Sequence, residues 1–169
     1  TAGFNTVNLS VMSASSQGIM TFLMLIGGSP GSTAGGIKTT TLAVLLANAA
    51  ATCHQQDSAH FFERRVDDNT VKIASTILTM YMALFFFGGL FISAYENLPL
   101  SSCLYETASA LGTVGLTLGI TPQLHIPSQL ILILLMYLGR VGSLTLMYAA
   151  LSGKKIINTK LPLEKITIG

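Results

Sequence analysis

The chain has 169 residues, of which 50% are hydrophobic and only 9% are charged, and its formal net charge is +2. Soluble domains carry about 25% charged residues, so this composition excludes an ordinary soluble domain and indicates a membrane protein. The net charge is too small to favour nucleic acid as a partner.

The first apolar stretch, residues 8–53, is too long to be one membrane-spanning helix. A helix of that length would measure about 69 Å, roughly twice the hydrocarbon core of a bilayer. Within it, residues 27–36 read GGSPGSTAGG, and glycines together with a proline remove helix propensity and a backbone donor. The pattern predicts a helix over about residues 8–26, an irregular link, and a second helix from about Ile37 to Cys53 or beyond.

The rest of the chain alternates between polar and apolar segments. Residues 54–70 are the most polar stretch and predict a solvent-exposed loop, and residues 71–95 predict a transmembrane helix. A helix over residues 99–112 would be only about 20 Å long, short of the roughly 30 Å hydrocarbon core. Another membrane-length apolar run at 128–151 precedes a lysine-containing tail at 154–169.

The distribution of Lys and Arg predicts the orientation. An arginine pair at 64–65 and Lys72 precede the long apolar run, and four lysines follow the last one, whereas residues 96–127 contain neither Lys nor Arg. By the positive-inside rule, the polar loop at 54–70 and the C-terminus are expected in the cytoplasm of a multi-pass plasma-membrane protein. The segment at 99–120 would then enter the membrane from outside and return.

The segment after the short helix is the most informative part of the sequence. Residues 113–117 read TVGLT, a β-branched and glycine-containing run in which a helix has little reason to continue. At membrane depth, a half-helix followed by extended backbone is tolerated only where it is buried in protein or lines a water-filled path. The helix points its negative end inward, and the carbonyl groups beyond it can replace the water shell of a cation. We therefore predict a cation selectivity filter; the alternative is an ordinary glycine-containing loop at the membrane surface.

The same pattern occurs a second time. Residues 1–5 read TAGFN and stand ahead of an apolar helix as residues 113–117 do, so both copies fit T-[AV]-G-[FL]-[NT]. The repeat divides the chain into a filter strand, broken helix and loop at 1–70, a complete helix–half-helix–filter–helix unit at 71–153, and the tail at 154–169. The residues predicted to bind the cation through their carbonyl groups are Thr1, Ala2, Gly3, Thr113, Val114 and Gly115.

Four motifs together resemble the KtrB/TrkH/HKT superfamily of potassium transporters, most closely its KtrB branch. They are TAGFN at 1–5, GGSPGSTAGGIKT at 27–39, ETASALGTVGLT at 106–117 and GRVG at 139–142. The resemblance implies an all-α polytopic membrane protein built from M1–pore helix–filter–M2 repeats, four of which surround one ion path. The chain would supply the end of the third repeat, with a broken M2 helix, and the whole fourth repeat. Two filter strands alone would not form a pore.

The resemblance also implies partners and a substrate. The complete protein would be a homodimer in the lipid bilayer that conducts K+ inward and docks a cytosolic nucleotide-binding regulatory ring (KtrA-like). The tail at 161–169 resembles a segment that helps to form the dimer contact. Dependence on Na+ stays open, and strict discrimination of K+ from Na+ does not follow, because each filter strand keeps a single glycine.

The glycine-rich link allows three interpretations. It can be a kink that lets helices pack closely, or a phosphate-binding loop, but Ile37 separates the last glycine from Lys38 and no strand is predicted before it, against the phosphate-binding pattern. The resemblance implies instead an intramembrane loop below the filter that gates the ion path. The predicted gate consists of Gly27, Gly28, Ser29, Pro30, Gly31, Ser32, Thr33, Ala34, Gly35, Gly36 and Lys38.

Three charged residues lie in or beside apolar segments. Arg140 would lie about 18 Å along the last span, near the middle of the membrane, where an arginine normally faces a cavity or a partner. It is expected either to constrict the pore from the cavity below the filter, where its charge limits cation throughput, or to form a structural pair with a carboxylate or a helix C-terminus elsewhere. Lys38 is expected to pair with loop carbonyl groups or to extend to the interface. Glu106 is expected to accept backbone hydrogen bonds and orient the filter rather than to bind the ion.

The sequence therefore predicts a subunit of a potassium uptake transporter and not an enzyme. No HExxH motif, Ser/His pair or paired intramembrane carboxylates are found in it. The ions it would bind are K+, which is transported, and Na+ if transport depends on it. The competing prediction is a non-transporting membrane scaffold or accessory subunit whose half-helix only packs against its neighbours.

Overall fold

Five α-helices and a small hairpin make up residues 1–56, 60–61 and 64–142, the part of the chain that the computed structural model describes. In chain order the helices are α1 (Ala14–Leu25), α2 (Thr39–Cys53), α3 (Asp68–Glu96), α4 (Leu100–Leu111) and α5 (Ile126–Val141). Short 3-10 helices at Leu9–Val11 and Thr121–Gln123 precede α1 and α5.

The polar loop between α2 and α3 holds the hairpin, which the prediction of an all-α fold did not include. β1 (His60–Phe61) pairs antiparallel with β2 (Arg64–Arg65), and His60 lies opposite Arg65. Arg65 also forms an exposed ion pair with Asp68 at 3.8 Å, a kind of contact that contributes little stability. The all-α prediction thus holds for the apolar segments, and the polar loop adds a two-residue ladder.

Among the described residues, α3 is the helix that is long and apolar enough to cross a membrane. Its 29 residues extend about 43 Å, enough for the hydrocarbon core and part of both interfaces. One face is strongly exposed at Phe86, Phe87 and Phe91, with Phe87 74% accessible, and an apolar face of this kind is a contact surface for lipid or for another protein segment. The helix predicted at 71–95 is present, although it starts at Asp68 rather than at Val71.

The helix predicted over residues 8–26 is interrupted in the structure. Asn8 caps the 3-10 helix by accepting the Ser10 N–H at 3.1 Å, and Ser13 caps α1 by accepting the Ser16 N–H at 3.3 Å. Two capping side chains five residues apart thus start two short helices, and the expected single helix is wrong at its N-terminal end. The break after α1 falls where it was predicted, because α1 ends at Leu25.

Several predicted segments fall outside the described residues. They are the end of the last span at 143–151, the tail at 154–169 with its proposed dimer contact, and positions 57–59 and 62–63 of the polar loop. α5, which the structure follows to Val141, accounts for the described part of that last span.

α4 is the central helix of the described fold, although it is one of the shortest. It packs against α1, α3 and α5, and nearly all of its second half is buried. Tyr105 and Leu111 of α4 share a hydrophobic cluster with Ile92 of α3 and Leu135 of α5. The 12 residues of α4 extend about 18 Å, which matches the half-helix predicted at 99–112. A short helix packed against three others places its C-terminal end in the interior.

A buried carboxylate joins the C-terminal end of α3 to the start of α5. The Glu96 side chain is only 4% exposed and accepts the backbone N–H of His125 at 2.9 Å and the hydroxyl of Ser128 at 2.5 Å. The Nδ1 atom of His125 lies 2.7 Å from the other carboxylate oxygen. Glu96 therefore satisfies a free N–H at the N-terminus of α5 and complements its dipole.

Replacing Glu96 by Ala should lower the midpoint of thermal unfolding of the full-length protein in detergent. The change leaves the His125 N–H and the buried Ser128 hydroxyl without their acceptor. Glu96→Gln should cost less, because its amide oxygen still accepts. Gln123→Ala, at an exposed position beside this contact, is the control. Equal unfolding midpoints for Glu96→Ala and the control would contradict the assignment.

Candidate functional site

The end of α4 has a strained but fully hydrogen-bonded geometry. The Val114 N–H donates to the Ser109 carbonyl at 2.9 Å and the Thr113 N–H to the Ala110 carbonyl at 3.1 Å, the two bonds of a Schellman motif. This motif needs a left-handed residue just past the helix, and Thr113 supplies it with φ +52. For a β-branched residue such a conformation costs about 1–3 kcal/mol and persists where the surroundings enforce it.

Glycine stands beside the strained position instead of in it, which the sequence did not predict. Gly112 keeps right-handed helical φ, so it is not the residue that turns the chain. A Cβ atom on Gly112 would overlap the carbonyl oxygen of Met24, at the end of α1. The missing side chain thus allows α1 and α4 to approach closely, and Thr113 makes the turn.

The two predicted filter strands lie side by side. Their glycines both adopt left-handed conformations, with φ +69 at Gly3 and φ +87 at Gly115, as a tight backbone turn demands. A Cβ atom on Gly3 would overlap the carbonyl oxygen of Val114 in the other strand. The two strands share a sequence pattern, lie 112 positions apart in the chain and meet through their backbones.

The carbonyl groups of both strands are left without internal partners. Between described residues, no hydrogen bond ends on the carbonyl oxygens of residues 1–3 or of residues 113–115. In the same segment the N–H groups of Thr113 and Val114 are paired with α4. Of these six residues only Val114 is buried, and the others are half-buried or exposed, so the unpaired oxygens are available to a ligand that accepts lone pairs, such as water or a cation.

The glycine-rich link is a loop closed at its base. The Gly27 N–H donates to the Ile37 carbonyl at 2.7 Å, and the Ile37 N–H donates to the Leu25 carbonyl at 3.0 Å. Lys38 donates its Nζ to the carbonyls of Ala34 at 2.6 Å and Ser32 at 3.1 Å. Of the two roles considered for Lys38, the structure shows the pairing with loop carbonyls. This use of the ammonium and the lack of a preceding strand also argue against a phosphate-binding loop.

The loop docks directly against the start of the second filter strand. The Gly35 N–H donates to the Thr113 Oγ1 atom at 2.9 Å. A Cβ atom on Gly35 would lie 2.7 Å from that oxygen and 2.9 Å from the carbonyl oxygen of Gly139 in α5, so only glycine fits this contact. The side chain of Thr113 thus belongs to the filter strand and to the docking site of the loop at once.

Arg140, on α5, holds the loop from another side. Its guanidinium donates to the carbonyl of Thr33 at the loop tip. The side chain is exposed and also lines a cavity, and no ion pair joins it to a carboxylate within the described part of the chain. Arg140 thus faces a cavity and binds a loop carbonyl rather than a carboxylate or a helix C-terminus, and its effect on cation throughput stays a prediction.

These elements enclose a common cavity of about 560 Å³. It is lined by the two strands, the loop and the α5 arginine, namely Thr1, Ala2, Thr113, Ser32, Thr33, Ala34 and Arg140. Ala34 and Arg140 also line a second cavity of about 170 Å³, whose wall includes Gly36 and Lys38. The loop therefore lies between two cavities, one of which reaches the start of both filter strands.

Sequence reasoning missed the hydroxyl partners of Glu106. Its carboxylate, in a side chain that is 4% exposed, accepts hydrogen bonds from Thr117 and Thr121 as well as from the Leu118 N–H. A lone carboxylate in an apolar half-helix must find donors, which was the available signal. The two threonines were not singled out because their distance from Glu106 depends on the path of the chain after Gly115.

Fold and site together define a membrane protein in which a buried half-helix delivers free carbonyl groups to a polar cavity. Residues 1–156 match the TrkH family model, described as a cation transport protein. The chain belongs to the TrkH family of cation transport proteins, which are polytopic membrane transporters. The family predicted from the motifs is confirmed, as is the prediction that the chain is not an enzyme.

Curated relatives agree with this assignment. The potassium/sodium uptake protein NtpJ of Enterococcus hirae is 38% identical over 100% of this chain and 39% of its own length. The Ktr system potassium uptake protein D of Bacillus subtilis is 35% identical over 99% of this chain and 37% of its own length. The Ktr system potassium uptake protein B of Vibrio alginolyticus is 37% identical over 88% of this chain and 32% of its own length. The chain thus spans well under half of each of these relatives.

Replacing Thr113 by Val should release the loop, whereas Thr113→Ser should hold it. Val leaves the Gly35 N–H without its acceptor, which costs about 1–3 kcal/mol for a buried group. Hydrogen exchange of the backbone amides at 35–37, which are buried in the docked loop, should therefore be about tenfold faster in the Val variant than in the Ser variant of the full-length protein. Equal exchange rates in the two variants would show that the contact does not hold the loop.

Proposed function

We propose that this chain is part of a potassium uptake transporter that conducts K+ inward through a filter of backbone carbonyl groups. The observation that carries the proposal is the set of carbonyl oxygens at residues 1–3 and 113–115, which accept no hydrogen bond from the described residues. They belong to adjacent strands with left-handed glycines, and the strands begin at a common cavity.

Binding would follow from backbone electrostatics. The carbonyl oxygens replace water around a dehydrating K+, with two further strands supplied by the rest of the protein. α4 ends at the filter strand, so the negative end of its dipole points toward the ion. The carbonyl oxygens and the dipole of α4 both favour binding of a monovalent cation, so the filter needs no acidic side chain.

The glycine-rich loop would act as the gate. It docks on Thr113 through Gly35 and on Arg140 through Thr33, and it separates two cavities along the proposed path. Two hydrogen-bonded contacts hold it closed, and its glycines allow the backbone to move aside. The positive charge of Arg140 at the inner cavity would limit cation occupancy and hence throughput.

The membrane potential would drive uptake. It supplies about 2.3 kcal/mol per elementary charge for each 100 mV, so inward movement of K+ needs no chemistry in this chain. One relative is named for both potassium and sodium, which favours testing Na+ as a coupling or competing ion.

The complete protein would contain four M1–pore helix–filter–M2 repeats, of which the chain supplies the end of the third and the fourth. Three features support this arrangement: the long apolar α3, the half-helix α4 and the interrupted segment from α1 to α2. We further propose a plasma-membrane homodimer with the polar loop and the C-terminus in the cytoplasm. A cytosolic nucleotide-binding ring would dock there, in keeping with the Ktr system names of two relatives.

Gly115→Ser in the full-length protein should abolish selective K+ uptake in an uptake-deficient host. A side chain at φ +87 strains the turn and displaces the carbonyl oxygens, which should weaken K+ affinity about tenfold or more. Gly18→Ser is the control for the added side chain, because Gly18 lies in α1 with nothing within 4 Å of a Cβ atom and is remote in sequence from both strands. If neither variant changes uptake, or if the wild-type protein conducts no cation, a membrane scaffold is the better description.

Deleting residues 29–35 should raise the maximal velocity of K+ uptake severalfold. The deletion removes the loop tip together with its contacts to Thr113 and Arg140. Arg140→Gln should act in the same direction more weakly, and Arg140→Lys, which keeps the charge, should lie closer to the wild type. Uptake velocities that stay at the wild-type value in the deletion variant would contradict a gating role.

A further inference from the structure

Glu106 is a buried carboxylate in the second half of α4, next to the filter strand. Its side chain is 4% exposed, and no Lys, Arg or His forms an ion pair with it within the described part of the chain. Burial of an unpaired carboxylate is costly, so the group must be held by hydrogen bonds. The question is which segment supplies them.

All three donors come from residues 117–121, shortly after the filter. Oε1 accepts the Thr117 hydroxyl at 2.6 Å and the Leu118 N–H at 2.9 Å, and Oε2 accepts the Thr121 hydroxyl at 2.8 Å. The two threonine hydroxyls also lie 3.1 Å from each other. One carboxylate thus ties the outgoing backbone at 117–121 to the helix that precedes the filter.

The other filter strand is held differently. Asn5, which occupies the position of Thr117 in the repeated pattern, donates its side-chain amide to the Val7 carbonyl at 3.0 Å within its own strand. Phe4, at the position of Leu116, is 86% exposed. Asn5 thus makes a contact within its own strand, whereas Thr117 reaches the carboxylate of the half-helix that precedes its strand.

From this geometry we propose that Glu106 is a positioning residue that sets cation selectivity by clamping the segment 117–121, the Glu106 clamp. Thr117 is two residues from Gly115, so its position fixes the direction of the peptide groups on either side of that glycine. Charge-assisted hydrogen bonds are the strong ones, and three of them hold the outer end of the strand against the short helix. The inference rests on the filter proposed above and adds that the Glu106 clamp fixes the dimensions of that filter.

Two variants distinguish the clamp from a simple attraction of cations by the negative charge of Glu106. Glu106→Asp keeps the charge but shortens the side chain by one methylene group, so the carboxylate no longer reaches all three donors. Thr117→Val removes one donor and leaves the charge untouched. If the clamp sets selectivity, both variants should resemble Glu106→Gln; if charge alone matters, both should resemble the wild type.

The experiment measures K+ and Na+ uptake by the full-length protein in an uptake-deficient host, with membrane abundance determined for each variant. Glu106→Gln, Glu106→Asp and Thr117→Val should each raise the KM for K+ about tenfold, while the KM for Na+ and the maximal velocity change much less. Thr79→Val, at an exposed threonine of α3, is the control for the substitution itself. The combined Glu106→Gln and Thr117→Val changes should be less than additive, because the two residues share a bond.

Unchanged K+ and Na+ KM values in Thr117→Val and Glu106→Asp would overturn the proposal. If Glu106→Asp keeps the wild-type KM values while Glu106→Gln does not, the effect belongs to the charge of the side chain instead. If the Glu106 variants fail to reach the membrane, Thr117→Val and Thr121→Val decide the matter alone. If the proposed function itself is wrong, the wild-type protein will take up no cation at all, which distinguishes that outcome from failure of the clamp.

Discussion

Peptide groups that leave a helix in an apolar environment must find new partners, and this constraint organises the region around α4. The helix ends after 12 residues, where neither lipid nor the core offers hydrogen bonds. Its last carbonyls bind the N–H groups of Thr113 and Val114, and Glu106 binds the N–H of Leu118. The carbonyl oxygens of residues 113–115 are left over, together with those of residues 1–3. In the proposed function, a path for a cation would give these oxygens the partner that the described residues do not.

At the C-terminal end of α4, one residue allows the close packing and its neighbour carries the backbone strain. Gly112 is needed where α1 meets α4, so Thr113 takes the left-handed conformation that glycine would adopt more easily. In return, its hydroxyl accepts the Gly35 N–H of the loop. A glycine at position 113 would relieve the backbone but would have no oxygen to offer. The strained residue therefore links the two parts of the site, which is where strain is commonly retained.

The sequence predicted those features that depend on local pattern. The long apolar α3, the half-helix α4, the break after α1 and the TrkH family all follow from apolar length, glycine content and short motifs. It did not predict features that depend on the folded path. The contact of Glu96 with Ser128 crosses from one helix to another, and that of Gly35 with Thr113 joins segments far apart in the chain. The left-handed Thr113 was missed because propensity favours the adjacent glycine, whereas packing decides.

The proposed function depends on one claim, that carbonyl oxygens at two glycine turns act as ligands for K+. Anomalous diffraction from crystals of the full-length protein soaked in Tl+ or Rb+ tests this most directly. The account predicts a peak between the strands that contain Gly3 and Gly115, within coordination distance of their carbonyl oxygens, which excess K+ removes. Well-ordered strands with no such peak, or with these oxygens turned toward lipid or bonded to the missing repeats, would contradict it.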